Sequence, residues 1–288
     1  MSQQQSVPML RSAGEGVLRL LFGIFMAVVA VTLTFGKPTW FAVVAAVMMM
    51  LAGREWHRMV RSDAQREAAD QQPILIQGAV TAATIALSIT ALMLHQILFA
   101  FILLALGAAA GFVLARLRGD NPLWHGGGVL YVGLPGLALV ALKSLAPQGP
   151  QTVLGLFLIV WATDTGALVF GKLIGGAKLA PRISPGKTWA GTIGGSITAA
   201  MVFGLYIAFF SFNVPLAMLF GFVFSFVAHG GDLFESLVKR RFGTKDSGAL
   251  IPGHGGVLDR VDSLFAASLV MALLVFGLHF NPLFGGHG

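Results

Sequence analysis

From Gln71 to Ala115 the chain runs through forty-five residues without one Asp, Glu, Lys or Arg. A bilayer is crossed by a helix of roughly 20 apolar residues, so this stretch is too long for one crossing and too apolar for water. It must make two, with His95-Gln96 as the turn between them. The rest of the chain agrees: 56% of its 288 residues are hydrophobic and 11% charged, against roughly 25% charged in a soluble domain. A water-soluble globule is excluded. The expected fold class is all-α, a polytopic integral membrane protein.

Nine spans are read, at 17–35, 39–53, 74–94, 97–115, 127–145, 152–171, 192–211, 214–230 and 261–280. The first apolar run is as long as a full span and no small-x-small cleavage pattern precedes Gly36-Lys37-Pro38, so it reads as a retained helix rather than a signal peptide. With nine spans, the basic residues fall seventeen on one set of alternating segments and two on the other. Basic residues collect in cytoplasmic loops, which places the N-terminus inside, the C-terminus outside and the loops at 172–191 and 231–260 in the cytoplasm. The net charge of +7 therefore marks orientation, and nucleic acid is not an expected partner. The chain has no cysteine, which excludes disulfides, thiolate catalysis and Cys-ligated metals. Residues 1–150 read as a scaffold and lipid-facing part, and 151–288 as the catalytic part. The segment Arg54 to Asp70 carries both signs of charge, with Arg66 and Asp70 spaced i,i+4, and reads as a solvated helical connector.

Half of the acids, Asp164, Asp232, Glu235, Asp246, Asp259 and Asp262, lie after residue 160 in or beside apolar helices. An ionised carboxylate at the centre of a span costs roughly 2.5 to 3.5 kcal/mol, so such groups tend to be functional and partnered. Asp232, Glu235, Ser236 and Lys239 form one helical stripe that should face a wet cavity. After them basic residues alternate with glycines, through Arg240, Lys245, Asp246, His254, Gly255 and Gly256, until Asp259, Arg260 and Asp262 open the last span. Glycine-rich turns expose N–H groups to phosphate oxygens, and Lys and Arg add charge-assisted bonds. Carboxylates beside phosphates require a hard cation between them, which suits Mg²⁺.

Each residue also has a plainer explanation. Asp259 and Asp262 could cap a helix start; Lys239, Arg240 and Arg241 could be orientation signals; His254 could be a satisfied loop residue. The functional reading rests on their concentration in one loop. A second basic loop holds Lys172, Lys178, Arg182, Ser184, Lys187 and Thr188 among glycines, downstream of Asp164. Gly186-Lys187-Thr188 is not read as a P-loop, because position 181 is Pro and no strand is expected before it.

At these residues the sequence resembles the CTP:phosphatidate cytidylyltransferases (CDP-diacylglycerol synthases). The resemblance is carried by Ser236, Lys239-Arg240, Lys245-Asp246, His254-Gly255-Gly256, Asp259-Arg260 and Asp262, with the GDLFES, DTGA and SPGKTW segments upstream. Two positions depart from the family pattern: Ala190 follows Trp189 where Glu or Gln is common, and Leu168 stands where Tyr is usual. The resemblance implies transfer of a cytidylyl group from CTP to phosphatidic acid in phospholipid biosynthesis, at the cytoplasmic face of an inner membrane. It implies that Asp232 and Asp259 hold Mg²⁺, with room for a second cation, that Lys239 and Asp262 serve the chemistry, and that Asp262 and Asp164 assist the metal. Lys239, Arg240, Lys245, His254 and Arg260 would neutralise phosphates. Ser184, Lys187 and Thr188 are candidates for nucleotide or lipid-phosphate contacts, and Lys172, Ser236, Asp246, Gly255 and Gly256 complete the expected substrate site. Expected partners are CTP, phosphatidic acid and membrane lipids, with a homodimer as an option. Two rivals are a CTP-dependent polyprenol or lipid kinase and, from another class, an ion-coupled transporter using Asp164 and Asp232.

Overall fold

The computed structural model describes residues 23–61, 72–210, 213–248 and 255–281. Among these are nine helices: α1 Gly23–Phe35, α2 Pro38–Met59, α3 Gln72–Met93, α4 Ile97–Leu117, α5 Pro122–Ser144, α6 Gly149–Leu173, α7 Trp189–Ala208, α8 Val214–Arg241 and α9 Leu258–Ala272. The last continues as a π-helical turn, Leu273–Gly277. Each expected span overlaps one helix, with residues 17–22 of the first lying outside the described residues. Seven of them, α3 to α9, are long and apolar enough to cross a membrane. The chain is thus a mainly helical, polytopic membrane protein.

The turn at His95-Gln96 is real and local in origin. His95 takes φ 60°, a left-handed conformation that His tolerates better than most side chains. The Gln96 amide then donates to the Ala91 carbonyl at 2.9 Å, closing the end of α3 before α4 begins. Between α6 and α7 the chain is not a plain loop. It forms an antiparallel hairpin, β1 Lys178–Ala180 and β2 Ser184–Thr188, with Lys178 opposite Thr188. Thr188 ends β2 and caps α7, its hydroxyl accepting the Gly191 amide at 3.0 Å.

Helix contacts in lipid depend on close approach, because tails solvate apolar side chains as well as neighbouring helices do. Gly191 and Gly195 lie one turn apart on α7 and press on backbone carbonyls of α6: a Cβ at either would come within 2.8 Å of Ala167 O or 2.6 Å of Thr163 O. On α5, Gly136 receives Met49 of α2, where a Cβ would meet Cγ at 2.7 Å. The helix that joins the bundle is α9, which packs on α2, α5, α6 and α8. Its contacts with α2 and α5 cross the expected division at residue 150.

One sequence expectation fails here. Residues 54 to 61 are not a solvated connector: α2 continues to Met59, and Glu55, Trp56, His57, Met59, Val60 and Arg61 are all buried, with Arg54 and Arg58 exposed between them. Mixed charge was a poor guide because the polar side chains on the inner face are matched by polar groups of other helices. His57 meets His125 of α5 at 2.9 Å between Nδ1 atoms and Thr81 of α3 at 2.7 Å, and Trp56 Nε1 donates to the Trp124 carbonyl at 2.8 Å. Arg66 and Asp70 lie outside the described residues.

Candidate active site

The C-terminal end of α8 and the start of α9 meet through a lysine. Lys239 donates to Glu235 one turn earlier at 3.1 Å and to Asp259 at 2.8 Å. Asp259 also accepts the amides of Ser247, at 3.2 Å to Oδ2, and Gly256, at 3.0 Å. One carboxylate therefore gathers both ends of the glycine-rich segment between α8 and α9. Gly255 turns there with φ 84°, a conformation glycine adopts without cost, and a Cβ on it would approach Asp259 Oδ2 to 3.2 Å.

The hairpin supplies the second cation. Lys187 of β2 forms an ion pair with Asp232 of α8 at 2.6 Å. The other Asp232 oxygen accepts the Ser236 hydroxyl at 3.3 Å. Arg240 fastens the hairpin to α8, its Nε donating to the Ile183 carbonyl at 3.1 Å. Asp262, one turn into α9, is buried with Oδ1 on the Ser263 amide at 2.6 Å, and it lies against Glu235. Asp164 of α6 is within electrostatic reach of Asp262, Asp232, Lys187 and Arg260. Acids and bases from α6, β2, α8 and α9 thus converge on one end of the bundle.

Not every expected residue joins this cluster in the same way. Thr188 is buried and its hydroxyl is committed to the cap of α7. Ser184 is half-buried on β2 beside the Ile183 carbonyl held by Arg240. Lys172, Lys245, Asp246 and Arg260 are exposed. His254 lies outside the described residues. Glu235, expected to face a wet cavity with the rest of its stripe, is instead fully buried. Lys239 supplies its counter-charge at 3.1 Å, and Asp262 of α9 shares a hydrogen bond with it.

Two residues were missed by sequence reasoning. Glu55 of α2 is 3% exposed, with Oε2 accepting the Leu258 amide at 2.8 Å and the Ser247 hydroxyl at 3.4 Å. It sits where a Cβ on Gly256 would come within 2.7 Å of its Oε2. A carboxylate at the first turn of α9 also suits the helix dipole. Tyr131 of α5 packs against Trp56, Phe234 and Phe265, with ring centroids 4.5, 5.3 and 5.4 Å apart. Its hydroxyl is buried beside the acidic cluster. Both lie in stretches whose composition marks them only as connector or span.

A bundle of membrane-spanning helices thus carries lysine–carboxylate pairs and a glycine-rich turn at one end. The chain belongs to the cytidylyltransferase family, whose model matches residues 17–278. It is similar to the phosphatidate cytidylyltransferase of Brucella suis, 48% identical over 155 residues, which is 52% of this chain and 56% of that protein. The phosphatidate cytidylyltransferases of Staphylococcus haemolyticus and Staphylococcus aureus are each 45% identical over 150 residues, 51% of this chain and 56% of theirs. The match spans about half the length of these curated relatives.

Proposed function

We propose that the chain transfers a cytidylyl group from CTP to phosphatidate, releasing CDP-diacylglycerol and pyrophosphate. The observation that carries this reading is the pairing of Lys187 with Asp232 and of Lys239 with Asp259 around one glycine-rich turn, beside an apolar cavity. The names of the relatives support the choice of substrates. A phosphate oxygen of the lipid attacks the α-phosphorus of CTP, a P–O bond forms, and the bond from that phosphorus to the bridging oxygen breaks as pyrophosphate leaves. A phosphomonoester has a second pKa of about 6, so the attacking oxygen is already ionised at neutral pH and needs no general base. What the protein must overcome is repulsion between two polyanions.

In this reading Lys187 and Lys239 turn from their carboxylates to phosphate oxygens, and Arg240, Lys245 and Arg260 add positive charge for the phosphates, as His254 is expected to do from its place in the sequence. Lys172, Ser184, Thr188, Ser236, Asp246, Gly255 and Gly256 complete the substrate site in this reading. The donor chemistry suits Mg²⁺: Asp232 and Asp259 each already hold a cationic nitrogen, at 2.6 and 2.8 Å. Among the described residues no three Asp, Glu or His side chains form a ready-made cage, and Mg²⁺ commonly takes one or two carboxylates with phosphate oxygens for the rest. Asp232 and Asp259 would hold it, assisted by Asp262 and Asp164, and it would neutralise charge on the triphosphate. We read all nine helices as spans of a bacterial inner membrane, with the N-terminus and the site in the cytoplasm and the C-terminus outside.

The full chain purified in detergent, given CTP, phosphatidate and Mg²⁺, is expected to release pyrophosphate and form CDP-diacylglycerol. Release of CDP would assign a kinase instead. Ion flux into liposomes without CTP would assign a transporter.

A further inference from the structure

Between α5, α8 and α9 lies a cavity of about 450 Å³ whose walls are almost wholly apolar. Such a volume falls within the roughly 300–1,000 Å³ of small-molecule sites. Two features set it apart from the packed interior. Gly127 on α5 and Gly230 on α8 both line it, and a Cβ on either would meet nothing within 4 Å. The neighbouring glycines are different: Gly126 and Gly231 are pressed against Ala108 O and Asp262 O, where a Cβ would come within 2.9 and 2.6 Å. Helix packing accounts for those and not for Gly127 and Gly230, which leave space.

The second feature is polar. Tyr131 and Asp262 both line the cavity, so its wall reaches the acidic cluster. The Tyr131 ring is held by Trp56, Phe234 and Phe265, yet its buried hydroxyl has no hydrogen-bond partner among the described residues. Buried hydroxyls are nearly always paired. Pro135, also in the wall, has no N–H to give the Tyr131 carbonyl one turn back. An occupant made only of hydrocarbon would fill the space and leave the hydroxyl unmatched. One that also carries an oxygen acceptor would satisfy both, and a neutral donor is what an anionic group needs beside carboxylates.

We propose that this cavity takes an acyl chain of the lipid acceptor, with the Tyr131 hydroxyl donating to an oxygen of the same molecule's phosphorylated glycerol head. The proposal rests on the cytidylyltransferase reading and adds where and how the lipid is held. Gly230→Leu fills the cavity from one wall and Gly127→Leu from the other; each side chain enters open space, so at least one is expected to fold. Tyr131→Phe removes only the donor.

Initial rates are measured with the full chain in detergent against dioleoyl and dihexanoyl phosphatidate at fixed CTP, and against CTP at fixed lipid. The leucine variants are expected to raise KM for the dioleoyl lipid by roughly ten-fold or more, to affect the dihexanoyl lipid less, and to leave KM for CTP unchanged. Tyr131→Phe is expected to raise KM for both lipids by about ten-fold without lowering the thermal midpoint, since its hydroxyl bonds nothing among the described residues. Leucine variants that fold and keep the wild-type KM for the dioleoyl lipid would overturn the proposal. So would equal changes for lipid and CTP, or a Tyr131→Phe variant that loses stability but not lipid affinity. Failure of the wild-type chain to make CDP-diacylglycerol would instead sink the underlying reading.

Discussion

Glu55 and Leu258 stand 203 positions apart and are joined by a 2.8 Å hydrogen bond, from the amide that begins α9 to a carboxylate of α2. The same oxygen takes the Ser247 hydroxyl. The turn carrying Gly255 and Gly256 is thereby gripped from two sides, by Asp259 of its own helix and by Glu55 from the far end of the chain.

Replacing Glu55 with Ala removes the acceptor for a buried amide. A loss of about 1–3 kcal/mol is expected, read as a lower thermal midpoint in detergent, together with reduced cytidylyl transfer. Glu55→Gln keeps one acceptor oxygen and should lose less on both counts. Wild-type stability in Glu55→Ala would remove the grip from the account.

Asp232→Asn and Asp259→Asn test the metal. Each is expected to cut Mg²⁺-dependent CDP-diacylglycerol formation by about 10²-fold or more, the scale of losing one transition-state electrostatic contact, while the protein remains folded in detergent. Full activity in both variants would overturn the metal assignment.

Lys187 and Asp232 form a partly exposed pair, with side chains 20% and 31% accessible, and such pairs add only about 0–1 kcal/mol to stability. Lys187→Met should therefore leave the thermal midpoint nearly unchanged and raise KM for CTP by roughly ten-fold, one charge-assisted bond to phosphate. A variant that melts early yet binds CTP normally would make the pair a structural one.

Two glycines give a contrast without touching any charge. A Cβ on Gly256 would collide with Glu55 and Ser247, whereas one on Gly186, in the exposed hairpin, meets nothing within 4 Å. Gly256→Ala is expected to cost about 1–3 kcal/mol, as overpacking does, and to depress activity. Gly186→Ala should be silent in a thermal melt.

The helices were legible because hydrocarbon imposes its thickness on any chain that crosses it: all nine apolar runs became helices, and even the turn at His95 could be placed. The acidic and basic cluster from Asp232 to Asp262 was legible because so many costly groups gather in one short stretch of an otherwise apolar chain. The hairpin was not. Its second strand, Ser184–Thr188, contains Pro185 and Gly186, residues depleted in strands, and it exists by pairing with β1 and docking on α8. Glu55 and Tyr131 escaped for another reason. Their partners come from helices distant in sequence, and neither an acid in a mixed-charge run nor a tyrosine in an apolar one carries a local signal of what it will meet. Glu235 was located but turned the wrong way, because a helical stripe says which residues share a face and not which neighbour will cover it.

The link between the second helix and the ninth also sets a schedule. A chain emerging from the ribosome inserts α2 early and must wait for α9 before Glu55 has an amide to hold, so nascent forms that have placed most of their helices in the bilayer still lack a finished glycine-rich turn. The proposed activity should arrive in one step with the insertion of α9 rather than grow with each inserted helix.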